Sequence, residues 1–378
     1  MKFILINIDN NARAGVIETD HSKIETPVFM PVGTQGAVKA IEHRELLEID
    51  TKIILGNTYH IYLRPGVELI HRFGGLHKFI GWNQSILTDS GGYQIFSLAD
   101  LNKISKDGVY FQSHIDGSKH FFTPETVIDI QRYLGSDIML VLDECVPYPA
   151  SYEYASKSQE LTTDWAIRCK NQFKKTSTLY SHTQAIFGIV QGSVYPDLRR
   201  KSVNELIEVD FDGYAIGGLS VGEPKDLMYE MTKICTEKLP FEKPRYLMGV
   251  GTPEDILEGI ESGVDMFDCV MPTRNGRNAM FFTRKGTLSI RNSIFKEDET
   301  SIDSNCECYT CKNFSRAYIR HLFMVKEILA LQLATIHNLA FYHWLTREAR
   351  KAILNKNFQE WKRSLLNQIN TRITNKGE

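Results

Sequence analysis

The chain has 378 residues, 42% of them hydrophobic and 24% charged, and its formal net charge is −2. This length and composition build one large globular domain or two smaller ones. The near-neutral balance excludes a uniformly basic nucleic-acid coat and leaves a local basic patch open. No apolar run approaches the length of a membrane span, and the N-terminal MKFILINIDNNARAG lacks a cleavage-type ending. A first strand and a soluble, cytoplasmic protein are therefore expected.

Short apolar runs at 52–56, 85–88, 137–142, 185–190, 213–216, 245–250 and 264–267 predict strands. Several are apolar without alternation, as in strands covered on both faces. Helical patterns fall between them, at 124–134, 151–174, 196–207, 224–239 and 253–262, and all but the second open with a proline. This alternation predicts an α/β fold, an eight-stranded (β/α)8 barrel rather than an open sheet. Polar or glycine residues recur where the strands end: Asp89-Ser90-Gly91-Gly92-Tyr93, Asp143-Glu144-Cys145, Gln191-Gly192, the run Gly217 to Glu223, and Gly251-Thr252. The carboxyl ends of barrel strands are where such folds keep their sites, so a convergent pocket is expected there.

The stretch 263–278 carries the strongest local signal. An apolar run delivers Asp268 at its end, and Arg274 and Arg277 follow on what reads as a basic loop around Gly276. Beyond 291 the alternation stops. A polar loop at 297–304, helices at 316–333 and 337–345, a final helix at 347–366 and a frayed tail at 370–378 are expected. A small zinc-binding subdomain, 295–346, would lie within a single catalytic domain spanning 1–378.

Four of the seven cysteines are scattered, whereas Cys306, Cys308 and Cys311 sit in one C-x-C-x2-C run. An odd count with one tight cluster suits a reducing compartment and a metal site. Three thiolates and one imidazole make a closed tetrahedral Zn2+ site, which is structural because no position is left for water. His321, His337 and His343 are the candidates for the fourth ligand. Asp89, Asp143 and Asp268 form the second constellation. Displacement at a sugar C1′ needs an acid/base group and a nucleophile on opposite sides of the bond. Asp143-Glu144, Gln191 and the amides of Gly217 and Gly218 are suited to reading the edges of a purine, and Tyr93 to stacking on it. Taken singly, each has a plainer reading as a helix cap, a turn or barrel packing.

Seven segments in this order, TDSGGYQ (88–94), LDECVPYP (142–149), FGIVQGS (187–193), GGLSVGEP (217–224), YLMGVGTPEDI (246–256), MFDCVMPTRNGRN (266–278) and CECYTC…H (306–337), carry a resemblance over essentially the whole chain. The chain resembles the bacterial tRNA-guanine transglycosylases, also called queuine tRNA-ribosyltransferases. The resemblance implies a modified TIM barrel with a zinc-binding insertion near the C-terminus. It also implies exchange of guanine at the wobble position (G34) of tRNAs with GUN anticodons for preQ1, 7-aminomethyl-7-deazaguanine, in queuosine biosynthesis.

Carried over by residue, Asp268 matches the nucleophile and Asp89 the acid/base group. Asp143, Cys145, Gln191, Gly217 and Gly218 match base-recognition positions, and Tyr93 and Met248 the pair that sandwiches the base. Leu219 matches a carbonyl that meets the aminomethyl group, with Glu223 nearby. Thr273, Arg274, Asn275, Gly276 and Arg277 match the segment that holds the anticodon loop. Cys306, Cys308, Cys311 and His337 match the four ligands of one structural Zn2+ per subunit. Val221 stands where queuine-using relatives carry a smaller glycine, which favours preQ1. Lys285, Arg291, Arg316 and Arg320 are further candidates for phosphate contacts. A homodimer is expected, with Tyr318, His321, Leu322 and Phe323 in the region that the resemblance assigns to its interface. The alternatives are a queuine-using enzyme and a non-catalytic RNA-binding partner subunit; the presence of both Asp89 and Asp268 weighs against the latter.

Overall fold

The computed structural model describes residues 1–98 and 102–375. Among these, eight parallel strands close a barrel. Strand β1 is interrupted at Pro31 into Val28–Met30 and Val32–Gly33. It is followed by β2 (Ile53–Gly56), β3 (Ser85–Thr88), β4 (Ile138–Leu140), β5 (Ala185–Val190), β6 (Gly213–Ile216), β7 (Arg245–Leu247) and β8 (Met266–Asp268). The first half of β1 pairs with β8 and the second half with β2, so the two edges of the sheet are one strand and the barrel is closed. Pro31 has no N–H to give the ladder, yet its carbonyl still accepts from Leu55 N at 2.9 Å.

The expected strands at 137–142 and 245–250 are shorter in the structure. Past their ends a single parallel bond persists on each, Val141 N to Phe187 O at 3.2 Å and Met248 N to Ile216 O at 3.2 Å, before the chain turns into the mouth of the barrel. Besides the hairpin Met280–Thr283 and Gly286–Ser289, two antiparallel sheets flank the barrel, and of their strands only the first, Lys2–Asp9, was expected. One, Lys2–Asp9, Ala12–Glu18 and Lys23–Thr26, lies at the N-terminal end of the barrel. There Ser22 Oγ donates to Lys52 O at 2.9 Å, just ahead of β2. The other, Asn102–Ser105, Gly108–Gln112 and Lys119–Phe122, is inserted after β3.

The helices follow their capping chemistry. Thr123 and Thr126 exchange hydrogen bonds at the start of Pro124–Leu134, and Gly135 ends that helix in the left-handed region at φ 69°. Thr252 and Asp255 do the same at the start of Pro253–Glu261. The C-terminal part departs from expectation. Arg316–Met324 ends early, and one 27-residue helix, Ile328–Leu354, runs through both expected breaks before Phe358–Ile369. His337 is therefore inside a helix, not at a junction. It and Asn338 look like a polar interruption in sequence but are buried and satisfied by backbone. Asn338 Nδ2 donates to Pro272 O (3.0 Å) and Met280 O (2.9 Å), and its Oδ1 accepts from Phe282 N (3.1 Å). With no proline or glycine between them, such residues leave the helix intact.

This long helix closes the barrel between β8 and β1, and its Arg350 donates to Gly15 O at 2.7 Å and Thr26 O at 2.6 Å. Nor is the tail frayed through its described part: Ile373 is buried and its N–H donates to Thr287 O at 2.9 Å. Residues 376–378 lie outside the described residues. No helix among the described residues is long and apolar enough to cross a membrane.

Candidate active site and metal centre

The three acids converge at the carboxyl ends of the barrel strands. Asp268 is the last residue of β8, Asp89 follows β3, and Asp143 lies three residues past β4. All three are buried. Asp268 Oδ1 accepts from Tyr246 Oη at 2.6 Å and from Gly249 N at 2.7 Å. Its Oδ2 accepts from no protein donor among the described residues, so one oxygen is anchored and the other left free. Burial raises the Asp268 carboxyl above its ordinary value, and the two donors pull it back.

Asp89 is tied on both oxygens. Oδ2 accepts from Asn57 Nδ2 at 2.6 Å, and Oδ1 accepts from Thr58 N at 2.9 Å and Gly91 N at 3.2 Å. Burial, with Asp268 and Asp143 adding repulsion, still pushes its carboxyl up to about 7 against the pull of Thr58 N–H. Asp268 caps no helix, whereas Asp89 Oδ1 takes the first N–H of the helix Thr58–Leu63. Their fields favour a site in which one carboxyl keeps its proton near neutral pH beside another with a free oxygen.

Asp143 and Gln191 form one unit: Gln191 Nε2 donates to Asp143 Oδ2 at 2.8 Å, and Ser90 Oγ donates to Oδ1 at 3.1 Å. Burial lifts the Asp143 carboxyl to about 6, partly offset by these two donors. Gln191 Oε1 is buried without a partner. Glu144 points elsewhere, accepting from Tyr154 Oη at 2.7 Å on the neighbouring helix, so of the two adjacent acids it is Asp143 that joins the cluster.

Gly217 and Gly218 must be glycine on two grounds. Gly218 has φ +63°, and a Cβ there would stand 2.2 Å from Gln191 Oε1; one on Gly217 would stand 2.8 Å from Gln191 Nε2. Met248 is half-buried beside Gly217, its Sδ 3.5 Å from that same Cβ position. Leu219 is buried and Val221 half-buried. Glu223 is spent on its own loop, its two oxygens accepting from Ser220 N and, at 2.9 Å, from Val221 N. Cys145 is half-buried, with its thiol pushed up to about 12 by burial, so it stays protonated. Tyr93, 53% exposed, stands on the short helix Gly92–Leu98 at the rim.

The expected basic loop is a helix, Met271–Arg277. Arg274 faces solvent, Asn275 and Arg277 are half-buried, and Thr273 and Gly276 are buried, Gly276 against Ala334 of the long helix. Arg277 Nη1 is buried without a partner, and burial together with Arg274 lowers the guanidinium's affinity for its proton. Arg316 is not a surface cation: it is 3% exposed, with Nη1 3.2 Å from Asp298 Oδ2 and Nη2 donating to Ile302 O. Leu322 and Phe323 likewise belong to a small second core that also holds Phe281, Leu288, Phe295 and Ile319.

Some residues of the site carried no signal in sequence. Tyr246 holds Asp268 from β7, two strand residues before Met248, and nothing in its spacing distinguishes it from barrel packing. Asn57 and Thr58 hold Asp89 from the end of β2. Arg199, fully buried on the helix after β5, donates to Ser193 O (2.8 Å), Val190 O (3.1 Å), Gly217 O (2.7 Å) and Gly218 O (3.2 Å), and so shapes the glycine turn under Gln191.

The three cysteines and His337 come together as a metal-ligand cluster, their ligand atoms all within 4.8 Å of one another. His337 Nδ1 faces the sulfurs, 3.2 Å from Cys311 Sγ and 3.7 Å from Cys308 Sγ, while Nε2 donates to Phe282 O at 2.7 Å. The carbonyl fixes the tautomer that leaves Nδ1 a lone pair for a metal. His343 bonds Thr51 Oγ1 at 3.0 Å and His321 is exposed, so neither joins the cluster.

A closed α/β barrel with buried, mutually perturbed carboxylates at its strand ends defines an enzyme. The sequence model of the family described as queuine tRNA-ribosyltransferase matches residues 9–371. A queuine tRNA-ribosyltransferase of Caldanaerobacter subterraneus subsp. tengcongensis is 58% identical over 368 residues, covering 97% of each chain. One from Thermodesulfovibrio yellowstonii is 56% identical, covering 97% of this chain and 94% of its own, and one from Aquifex aeolicus is 55% identical, covering 98% and 100%. The chain belongs to the queuine tRNA-ribosyltransferase family and is a tRNA-guanine transglycosylase, a pentosyltransferase.

Proposed function

We propose that the site replaces guanine at the wobble position (G34) of tRNAs with GUN anticodons by preQ1 through a ribosyl-aspartate intermediate. The observation that carries this reading is the asymmetry of the acids. Asp268 has one oxygen anchored by Tyr246 and Gly249 and the other free, while Asp89 is buried with a carboxyl near 7. Asp268 Oδ2 attacks C1′ as the bond to guanine N9 breaks, and Asp89 gives its proton to the departing base. The incoming base returns a proton to Asp89 and its nitrogen displaces Asp268, restoring both groups and the starting configuration.

Asp143 and the unpartnered Gln191 Oε1, with Gly217, Gly218 and the Leu219 carbonyl, read the base, and Tyr93 and Met248 enclose its faces. Cys145 lines the same pocket as a neutral thiol, and Glu223 braces the Leu219 to Val221 turn. Val221 narrows the pocket for preQ1 against queuine, a difference worth roughly 1–3 kcal/mol per methylene-sized clash. The segment Thr273 to Arg277 holds the anticodon loop, where the orphaned Arg277 nitrogen suits a phosphate oxygen.

The Cys306, Cys308, Cys311 and His337 donor set fits one tetrahedral Zn2+ per subunit, three soft thiolates and an oriented imidazole with no open position. Zinc supplies cohesion there and no chemistry at the base. It braces residues 295–346 as a subdomain of the single catalytic domain. The exposed apolar side chains Tyr318, Met324, Val325, Ile328 and Leu329 on that subdomain suit the interface of a homodimer. The enzyme works in the cytoplasm, where its tRNA substrate is found.

The test is to incubate the protein with unmodified tRNA and labelled guanine, preQ1 or queuine. PreQ1 incorporation is expected; preference for queuine would overturn the base assignment, and incorporation of no base would leave a non-catalytic RNA-binding subunit. Asp268→Asn should abolish covalent tRNA trapping while tRNA binding persists. Trapping by that variant would put the nucleophile elsewhere.

A further inference from the structure

At the opposite end of the barrel from the acids, three imidazoles meet. His21 lies in the turn between Ala12–Glu18 and Lys23–Thr26, His77 in the helix Leu76–Ile80, and His182 in the loop before β5. Asp137, fully buried, precedes β4 between them. One ligand nitrogen from each histidine lies within 4.8 Å of the others. The His21 and His77 rings stack with centroids 3.8 Å apart, and the His182 ring meets His21 edge-on at 4.6 Å.

The hydrogen bonds set the tautomers. His21 Nδ1 is 2.7 Å from Asp137 Oδ1. His77 Nε2 is 3.2 Å from Asp137 Oδ2 and 3.1 Å from Gln84 O, and His182 Nε2 is 2.8 Å from Gly135 O. Carboxylate and carbonyl oxygens accept only, so each of these nitrogens carries its ring's hydrogen. The neutral rings then present His21 Nε2, His77 Nδ1 and His182 Nδ1 as lone pairs that accept from no protein donor among the described residues. Imidazoles held at one nitrogen by a carboxylate or a carbonyl, and left with a lone pair on the other, are prepared as metal ligands.

Neutral rings packed around a buried carboxylate would also satisfy the hydrogen bonds. They would leave one lone pair on each ring, which an ion takes up once the His21 and His77 rings turn out of their stack.

We infer that His21, His77 and His182 form a second metal site, for a Zn2+-class divalent ion, with Asp137 as the carboxylate that orients two of the ligands. Imidazole nitrogens select zinc, nickel, cobalt or copper over magnesium or calcium, and a three-histidine set leaves a fourth position for water. A Zn–N bond of about 2.0–2.1 Å sets ligand nitrogens roughly 3.4 Å apart with the ion in the plane of each ring, so binding requires the His21 and His77 rings, stacked with centroids 3.8 Å apart, to tilt out of their stack. The ion joins the N-terminal sheet, the helix ahead of β3 and the loop ahead of β5, segments far apart in sequence. It is a clamp on the floor of the barrel, independent of the chemistry at the mouth.

The test uses the untagged full chain, stripped with a chelator, dialysed against Zn2+ and analysed for bound metal. The wild type should hold two zinc ions per chain, His182→Ala and His21→Ala one each, and a His71→Ala control two. Both site variants should keep base-exchange activity, which shows that they fold. Added Zn2+ should raise the Tm of Cys308→Ser, which lacks the cysteine site, but not that of Cys308→Ser combined with His182→Ala. One zinc per wild-type chain, unchanged in His182→Ala and His21→Ala, would overturn the inference.

Discussion

Asp89→Asn separates the electrostatics of the site from its shape. In the folded protein the Asp89 carboxyl ionises near 7, whereas the unperturbed value is 3.8. Between these values the unfolded chain has released a proton that the native state still holds. Native stability therefore falls as pH rises through that window and levels off above it. At about 1.4 kcal/mol per pH unit the full window amounts to about 4 kcal/mol, and the interval from pH 5 to pH 7 to roughly 2.7 kcal/mol.

Asparagine cannot ionise, so this slope is absent from the variant. Its oxygen can keep the N–H groups of Thr58 and Gly91. Its amide nitrogen would face Asn57 Nδ2, which cannot simply flip because Asn57 Oδ1 accepts from His60 N at 3.0 Å. That donor–donor contact costs about 1–3 kcal/mol at every pH. The variant should thus be less stable than wild type at pH 5 and gain on it by about 2–3 kcal/mol by pH 7. Urea unfolding at pH 5, 6, 7 and 8 measures the difference directly. A difference that stays flat across this range would show that Asp89 ionises at an ordinary value, and the assignment of an acid that holds its proton near neutrality would fall with it.

Tyr246→Phe removes the 2.6 Å donor from Asp268 Oδ1. A hydrogen bond to a charged group is worth about 1.5–3 kcal/mol, so exchange should slow roughly 10- to 100-fold with tRNA affinity unchanged; an unaltered rate would mean that Tyr246 only packs. Gly218→Ala places a methyl 2.2 Å from Gln191 Oε1 at a positive φ, which should push Gln191 off Asp143 and raise KM for the incoming base at least tenfold, measured with labelled guanine. A normal KM would separate Gln191 from base reading. Cys308→Ser opens the cysteine site and should lower Tm and expose residues 295–346 to limited proteolysis while far-UV circular dichroism of the barrel persists. Proteolysis identical to wild type would show that the cluster does not brace that region.

Much of the barrel was legible because strands covered on both faces must be apolar throughout, and β3, β5 and β6 start and end where that pattern does. The split strand was not. Val28–Met30 and Val32–Gly33 are too short to show a period, and only pairing with β8 and β2 makes them one strand that closes the sheet. The single helix Ile328–Leu354 was hidden for the opposite reason. His337 and Asn338 look polar in one dimension, and their partners, Phe282, Met280 and Pro272, lie more than fifty residues away.

The sequence by itself determined the acids at the strand ends, the glycine turn and the C-x-C-x2-C run, because each is a local pattern whose residue types limit its chemistry. Tertiary structure decided which of two adjacent acids enters the pocket, which histidine of three faces the thiols, and that Tyr246, Asn57 and Arg199 hold the reacting groups in place. It also brought His21, His77, Asp137 and His182 together. Those outcomes depend on hydrogen bonds and burial between segments far apart in the chain, and on local carboxyl environments that exist only once water has been excluded by the closed barrel.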